Sequence, residues 1–183
     1  MKSKEQSILE LFFNNPAKEW HFEDILKHTK LSRSKADKWL KVLVKSHIVK
    51  KVKPKAKMPY YTSNYEDPNY QNKKTIYALN ALYDSGFLNH LKSLPKAETV
   101  ILFGSYSRWD WHSESDIDLF VYGDSEGLEI EKYEARLKRN IQLFACKNEA
   151  ELKKFGPELL RNILRGNVIK GYVPKEIFAN AGI

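Results

Sequence analysis

Cysteine is almost absent from this chain of 183 residues, which contains only Cys146. One thiol excludes an internal disulfide and a zinc site built from several cysteines. Long apolar runs are also missing, and no segment approaches the roughly 20 residues that a membrane-spanning helix needs. The first residues lead into a short amphipathic segment, not into the apolar core of a secretion signal. We therefore expect a reduced, cytoplasmic protein with no membrane partner.

Acidic residues are scarce in the first half of the chain. Residues 1–96 contain 19 Lys and Arg against 9 Asp and Glu, whereas residues 97–183 contain 12 against 14. The formal net charge of +8 therefore comes from the first half. A basic region of this kind favours a polyanionic partner, although a lysine-rich solvated surface has the same bulk charge. The change in composition predicts two small domains with different roles.

Three short amphipathic helices are predicted in the basic half. Apolar residues recur at helical spacing near residues 8–12, 22–26 and 36–43, and Pro16 ends the first helix. Ser32 is a typical N-cap for the third helix, at about residues 33–46. A β-prone run at residues 47–52 follows, and we expect its partner strand at residues 74–79. This order predicts a winged helix-turn-helix domain.

The third predicted helix carries a basic stripe opposite its apolar face, and the predicted wing tip is also basic. We expect double-stranded DNA to contact these positions through its phosphates or base edges. A solvated helix face and a protein interface are the alternatives, and the coincidence of stripe and wing favours DNA. The predicted DNA-binding residues are Ser34, Lys38, Lys41, Lys45, Lys53, Lys55 and Lys57.

Strands and helices alternate in the second half, which predicts a small α/β domain. We expect strands near residues 99–103, 116–122, 140–145 and 168–172, with helices at about 128–139 and 158–164. The predicted fold class is α+β, with a winged-helix domain at residues 1–80 and a connecting helix at residues 81–96. Residues 97–183 form the second domain, with a mixed sheet.

Two motifs in this second domain predict a shared site. Gly104 and Ser105 close an apolar run, and Asp116 and Asp118 follow ten residues later at the start of another. Two carboxylates at positions i and i+2 of a strand face the same side of the sheet. Carboxylate oxygens suit Mg²⁺, and the N–H groups of a Gly-Ser turn suit phosphate. The pattern indicates a site for a metal-bound nucleoside triphosphate.

These motifs resemble the signature of the DNA polymerase beta-type nucleotidyltransferase superfamily, in its minimal branch. The whole chain resembles the subgroup in which a winged helix precedes that domain. The resemblance implies that Gly104, Ser105 and Arg108 bind the nucleotide. It also implies that Asp116 and Asp118 are catalytic and bind Mg²⁺ or Mn²⁺, with ATP the expected nucleotide. Arg108 would either reach a phosphate or pair with an acid such as Asp118 or Glu114, and pairing is favoured.

One departure from the family pattern concerns a third acidic residue. Active members of the superfamily generally carry it on a later strand, where Gln142 lies in this chain. An amide is neither a base nor a charge, and loss of a general base costs about 10²–10⁴ in rate. Either Glu129 or Glu131 substitutes for it, or the domain binds nucleotide without efficient turnover.

Three functions are therefore open. The first is an enzyme that transfers a nucleoside monophosphate, with Mg²⁺, to a hydroxyl acceptor on a protein, a nucleic acid or a small molecule. The second is a DNA-binding transcriptional regulator whose nucleotidyltransferase-like domain binds nucleotide. The third is an antitoxin-type partner of a HEPN-like protein, a role that the resemblance implies for minimal nucleotidyltransferases.

Overall fold

Three helices fill the first part of the chain in the computed structural model, which describes residues 3–183. They are α1 at Lys4–Asn14, α2 at Phe22–Thr29 and α3 at Arg33–Lys45. Ser3 begins α1 through a capping box with Gln6, which satisfies two N–H groups at the helix start. Each helix has a buried face, which includes Phe12 on α1, Ile25 on α2 and Leu40 on α3. Met1 and Lys2, with which the predicted first domain opens, lie outside the described residues.

A two-stranded antiparallel ribbon follows these helices. Strand β1 at Val49–Val52 pairs with β2 at Tyr60–Ser63, and the connection between them carries the predicted basic tip. Three helices and a ribbon are thus present, and their assignment as a DNA-binding winged helix stays a prediction.

The predicted partner strand at residues 74–79 is wrong. Those residues lie inside helix α4, at Pro68–Asp84. Tyr70, Lys74, Ala78 and Leu82 are its buried positions, and their four-residue spacing is helical. Lys74 misleads a sequence-based reading because its ammonium is buried, 2.5 Å from the carbonyl oxygen of Trp111 and 4.5 Å from the indole centroid.

The chain forms two compact units. The first extends to Lys74 and includes Trp111–Ser113, and the second contains Thr75–Asp110 and Glu114–Ile183. Their division falls inside α4. The region of the predicted connecting helix contains two helical segments, the end of α4 and α5 at Phe87–Ser93, separated by Gly86 with a φ of +81°. The predicted domain bounds of 1–80, 81–96 and 97–183 stay predictions.

A four-stranded mixed sheet organises the second unit, which confirms an α+β fold with a mixed sheet. Its strands are β3 at Ala97–Phe103, β4 at Ile117–Gly123, β5 at Ile141–Cys146 and β6 at Asn167–Lys170. The order is β5-β4-β3-β6. Strands β4 and β6 run antiparallel to β3, and β5 runs parallel to β4.

Helices connect the strands of this sheet and follow its last strand. A 3₁₀ turn at Ser105–Ser107 follows β3, and α6 at Ile130–Leu137 joins β4 to β5. After β5 come α7 at Glu149–Leu152 and α8 at Pro157–Leu164, and α9 at Lys175–Ala181 follows β6. Phe103 and Phe120 pack in one apolar cluster with residues of α8 and α9. Within residues 3–183, no helix is long and apolar enough to cross a membrane.

Candidate functional site

The Gly-Ser motif forms a tight turn at the end of β3. Gly104 adopts a φ of +72°, which favours glycine because a Cβ is disfavoured there. The Ser107 hydroxyl donates to the Gly104 carbonyl at 2.8 Å, and the Arg108 N–H donates to the Ser105 carbonyl at 3.0 Å. Both bonds join groups of the turn to one another, and they therefore stabilise its conformation locally.

The two motifs meet at Gly104 and Asp118. Phe103 is opposite Asp118 in the β3–β4 ladder, so Gly104 follows directly beside that carboxylate. A Cβ built on Gly104 would lie 1.8 Å from Oδ2 of Asp118, far inside van der Waals contact. Because residue 104 has no side chain, the turn can pack directly against the carboxylate of Asp118.

Asp116 and Asp118 lie at the beginning of β4, and each is half-buried. Burial raises the pKa of Asp118, the charge of Asp116 raises it further, and the charge of Arg108 opposes both. A half-buried carboxylate beside a second one is stabilised by a cation. Hard oxygen donors of this kind fit Mg²⁺ or Mn²⁺. Within the described residues 3–183, no group of three or more His, Cys, Asp or Glu is placed to hold a metal.

Arg108 pairs with an acid, but with neither of the two expected ones. Its Nη2 lies 2.9 Å from Oδ2 of Asp110, and its Nε lies 3.1 Å from Oδ1 of the same residue. The expected pairing with Asp118 or Glu114 is thus corrected, because a partner two residues away offers a fork-shaped match to the guanidinium. Both side chains are more than 40% exposed, at 43% and 42%, so the pair is weak enough to exchange for a phosphate.

Gln142 lies directly beside Asp118. The parallel β4–β5 ladder pairs these two residues, and Gln142 is exposed. Glu129 precedes α6 at the far end of β4, where its carboxylate contacts Lys132 at 2.6 Å. Glu131 is an exposed residue on the first turn of α6. Asp118 lies five residues before the end of β4, about 17 Å along the strand at about 3.3 Å per residue, and both glutamates follow that end in the chain. The amide of Gln142 is thus the polar group next to Asp118 on the neighbouring strand.

Asn167 forms a hydrogen bond to the turn, a role that is not predicted from the sequence. Its Nδ2 donates to the Ser107 carbonyl at 3.1 Å. Gly166 makes this approach feasible, since a Cβ there would lie 2.5 Å from the Leu102 carbonyl oxygen. The only sequence signal is an Arg-Gly-Asn segment between a helix and a strand, which does not reveal its partner.

The predicted DNA-binding residues are all exposed and lie in the first unit. Those on α3 follow its outer side, opposite the buried Ala36, Leu40 and Leu43. The others lie in the connection between β1 and β2. Lys41 pairs with Asp37 at 2.7 Å, and this exposed pair is readily exchanged for another anion. The residues concerned are Ser34, Lys38, Lys41, Lys45, Lys53, Lys55 and Lys57.

Comparison with known proteins finds similarity to nucleotidyltransferases in part of the chain. Residues 88–172 match the family model described as Polymerase beta, Nucleotidyltransferase. Both motifs and all four strands of the mixed sheet lie within this segment, which is just under half of the chain. The chain is also 50% identical, over 40 residues, to a Methanocaldococcus jannaschii protein provisionally named a protein adenylyltransferase. The aligned part is 21% of this chain and 40% of that relative, so less than half of the relative is matched.

Two crystal structures show weaker likeness. One is of a mutant of the toxin–antitoxin MntA–HpeT, with 20% identity and a TM-score of 0.35 over 59% of this chain and 81% of that chain. The other is of a toxin–antitoxin with AMP-PNP, with 23% identity and a TM-score of 0.34 over 61% and 82%. At these scores, neither likeness identifies the activity or the partner of this chain.

Proposed function

We propose that this protein transfers a nucleoside monophosphate from a nucleoside triphosphate, with ATP as the expected donor, to a hydroxyl acceptor. The attack of the acceptor oxygen on the α-phosphorus releases pyrophosphate. The observation that carries this proposal is the contact between the backbone of Gly104 and the carboxylate of Asp118. The match of residues 88–172 to the nucleotidyltransferase model supports it.

The residues have complementary roles in this proposal. Ser105 and the N–H groups of the turn bind the triphosphate, because backbone N–H groups and a hydroxyl favour anionic oxygens. Arg108 exchanges Asp110 for a phosphate. Asp116 and Asp118 hold Mg²⁺ or Mn²⁺, and Gln142 offers an amide oxygen beside them. The bound ion would neutralise charge on the phosphoryl oxygens during transfer.

The proposed acceptor is a protein hydroxyl. The support is the provisional name of the M. jannaschii relative, protein adenylyltransferase, to which this chain is 50% identical over 40 residues. An acceptor on a nucleic acid or a small molecule is the alternative. Incubation with α-labelled ATP, Mg²⁺ and cell lysate distinguishes them by the class of molecule that becomes labelled.

Two glycine variants test the site directly. Gly104→Ala inserts a methyl group where Oδ2 of Asp118 lies, and Gly127→Ala is a matched control. Gly127 also has a positive φ, of +86°, but no atom of the described residues, its chain neighbours aside, lies within 4 Å of the position of its Cβ. Both variants therefore place an alanine at a positive φ, whereas Gly104→Ala alone displaces the carboxylate.

The measurement is Mg·ATP binding by calorimetry and label transfer from ATP. We expect Gly104→Ala to lose both and Gly127→Ala to keep both at the wild-type level. Equal behaviour of the two variants, or no binding by the wild type, would overturn the proposal.

A second candidate function is a DNA-binding regulator that binds nucleotide without efficient turnover. The observation in its favour is Gln142, an uncharged neighbour of Asp118 where a base would be useful. The exposed lysines of α3 and of the ribbon supply the proposed DNA surface. The regulator binds Mg·ATP but transfers no label, whereas the enzyme does both. The antitoxin-type role stays a prediction.

A further inference from the structure

The chain leaves the second unit between the two motifs. Ser105 and Asp116 lie on either side of Trp111–Ser113, which belong to the first unit. The β3–β4 ladder sets Gly104 beside Asp118, but the rest of the turn, Ser115 and Asp116 lie beyond the residues that these two strands pair. A residue of the second unit that contacts both ends of the segment would hold these parts at a fixed spacing.

Arg139 contacts both ends. Its Nη1 donates to the carbonyl of Ser115 at 2.9 Å, immediately before Asp116. The same guanidinium lies 4.9 Å from the ring centroid of Tyr106, which is only 4% exposed and forms the middle of the 3₁₀ turn. The next residue, Asn140, accepts a hydrogen bond from the Ile117 N–H at 2.9 Å. Arg139 is thus anchored to the start of β4 and reaches across to the turn.

We infer that Arg139 is a positioning residue that fixes the distance between the Gly104–Ser107 turn and the carboxylates of Asp116 and Asp118. This inference rests on the proposed function, since it assigns a consequence to that spacing. A planar guanidinium can stack on an aromatic ring and donate from its edge at the same time, which a lysine ammonium cannot do in the same geometry. A displacement of about 1 Å at a reacting centre can cost about 10²-fold in rate.

The chain contains a matched control for this residue. Arg136 also donates its Nη1 to a serine carbonyl, that of Ser85, at 2.9 Å. It also lies over a tyrosine ring, that of Tyr133, at 5.6 Å from the centroid. The two arginines therefore have the same charge and the same kinds of contact, but Arg136 contacts neither motif in these bonds. If only the loss of a guanidinium matters, replacing either arginine has the same effect on the site. If the spacing matters, only the replacement of Arg139 affects the site.

Hydrogen–deuterium exchange of the full chain, without nucleotide, is the first test. We expect Arg139→Gln to speed exchange about tenfold at residues 105–108 and also at residues 115–118, as loss of one stabilising contact implies. Arg136→Gln should leave both segments unchanged. If Arg139→Gln does not fold, Arg139→Lys keeps the charge and is expected to show the same pattern. Unchanged exchange, or faster exchange in one segment alone, would overturn the inference.

Mg·ATP binding by calorimetry is the second test. We expect the dissociation constant to rise about tenfold in Arg139→Gln and less than about twofold in Arg136→Gln, at similar melting temperatures. Equal affinities of the two variants would overturn the positioning role. Absence of binding by the wild type would instead contradict the proposed function, while the exchange experiment would still decide whether Arg139 sets the spacing.

Discussion

The two proposed functional regions of this molecule are built in opposite ways. The basic surface of the first unit consists of exposed side chains, such as Lys38, on the outer side of a helix. The candidate site of the second unit depends on backbone contact, with Gly104 packed against Asp118 and with Gln142 beside it. The effect of exposed charges depends on how many there are, because solvent screens each one and one charge can replace another. The effect of groups in contact depends on their exact positions, so that one misplaced atom removes the function.

The largest expected effect is loss of transfer in the double variant Asp116→Asn with Asp118→Asn. A metal contributes several kcal/mol to charge stabilisation, so we expect transfer from ATP to fall by about 10²–10³-fold or more. The measurement is label transfer in the presence of Mg²⁺. Asp24→Asn with Asp84→Asn removes the same charge elsewhere and should change the rate little. Persistent transfer by Asp116→Asn with Asp118→Asn would contradict the contrast between the two regions, because the position of these carboxylates would then not matter for transfer.

A gain of activity is expected from Gln142→Glu. The new carboxylate would lie beside Asp118 in the parallel ladder and supply the missing base and metal ligand, which predicts a rise of about 10–10² in the rate of transfer. Gln142→Ala removes the amide oxygen and should not raise the rate. An unchanged or lower rate in Gln142→Glu would show that the site does not need a carboxylate at this position.

The basic surface should respond in a graded way. Lys38→Ala with Lys41→Ala removes two of the proposed phosphate contacts, so we expect weaker binding of double-stranded DNA and a salt dependence whose slope falls by about 2. Titrations at several salt concentrations measure both quantities. Lys132→Ala with Lys154→Ala, in the second unit, removes the same charge and serves as the control. Identical slopes in the two variants would mean that DNA does not contact α3.

The smallest expected effect concerns stability and pH. Burial and Asp116 raise the pKa of Asp118, so its ionised form opposes folding at neutral pH. Asp118→Asn should therefore raise the melting temperature of the metal-free protein at pH 7, by less than about 4 °C. The difference should begin to shrink as the pH falls through the raised pKa of Asp118 in the folded state, and vanish below its lower pKa in the unfolded chain, where both states are neutral. A lower melting temperature at pH 7 would contradict the raised pKa.

The local elements near the site could be predicted from the sequence. Strands β3 and β4 are apolar runs bounded by Gly104 and Asp116, and such runs are typical of buried strands. Helix α4 could not be predicted in this way. Its residues 75–77 are the β-prone run Thr-Ile-Tyr, and the burial of Lys74 that restores the helical period depends on the carbonyl of Trp111.

The contacts that hold the candidate site together could not be predicted from the sequence, for a related reason. Arg108 had several acids within reach, and only the fold of the turn selects Asp110. Arg139 and Asn167 act on residues 24 and 60 positions away, at Ser115 and Ser107. The partners of polar side chains over such separations follow from sheet order, which local patterns do not encode.

Calorimetric titration of the protein with ATP in the presence of Mg²⁺ tests the central claim most directly. The account predicts saturable binding by the wild type, which disappears when Mg²⁺ is removed or when Asp118 is replaced by Asn. Binding of equal strength by Asp118→Asn, or no heat of binding by the folded wild type at millimolar ATP, would contradict it.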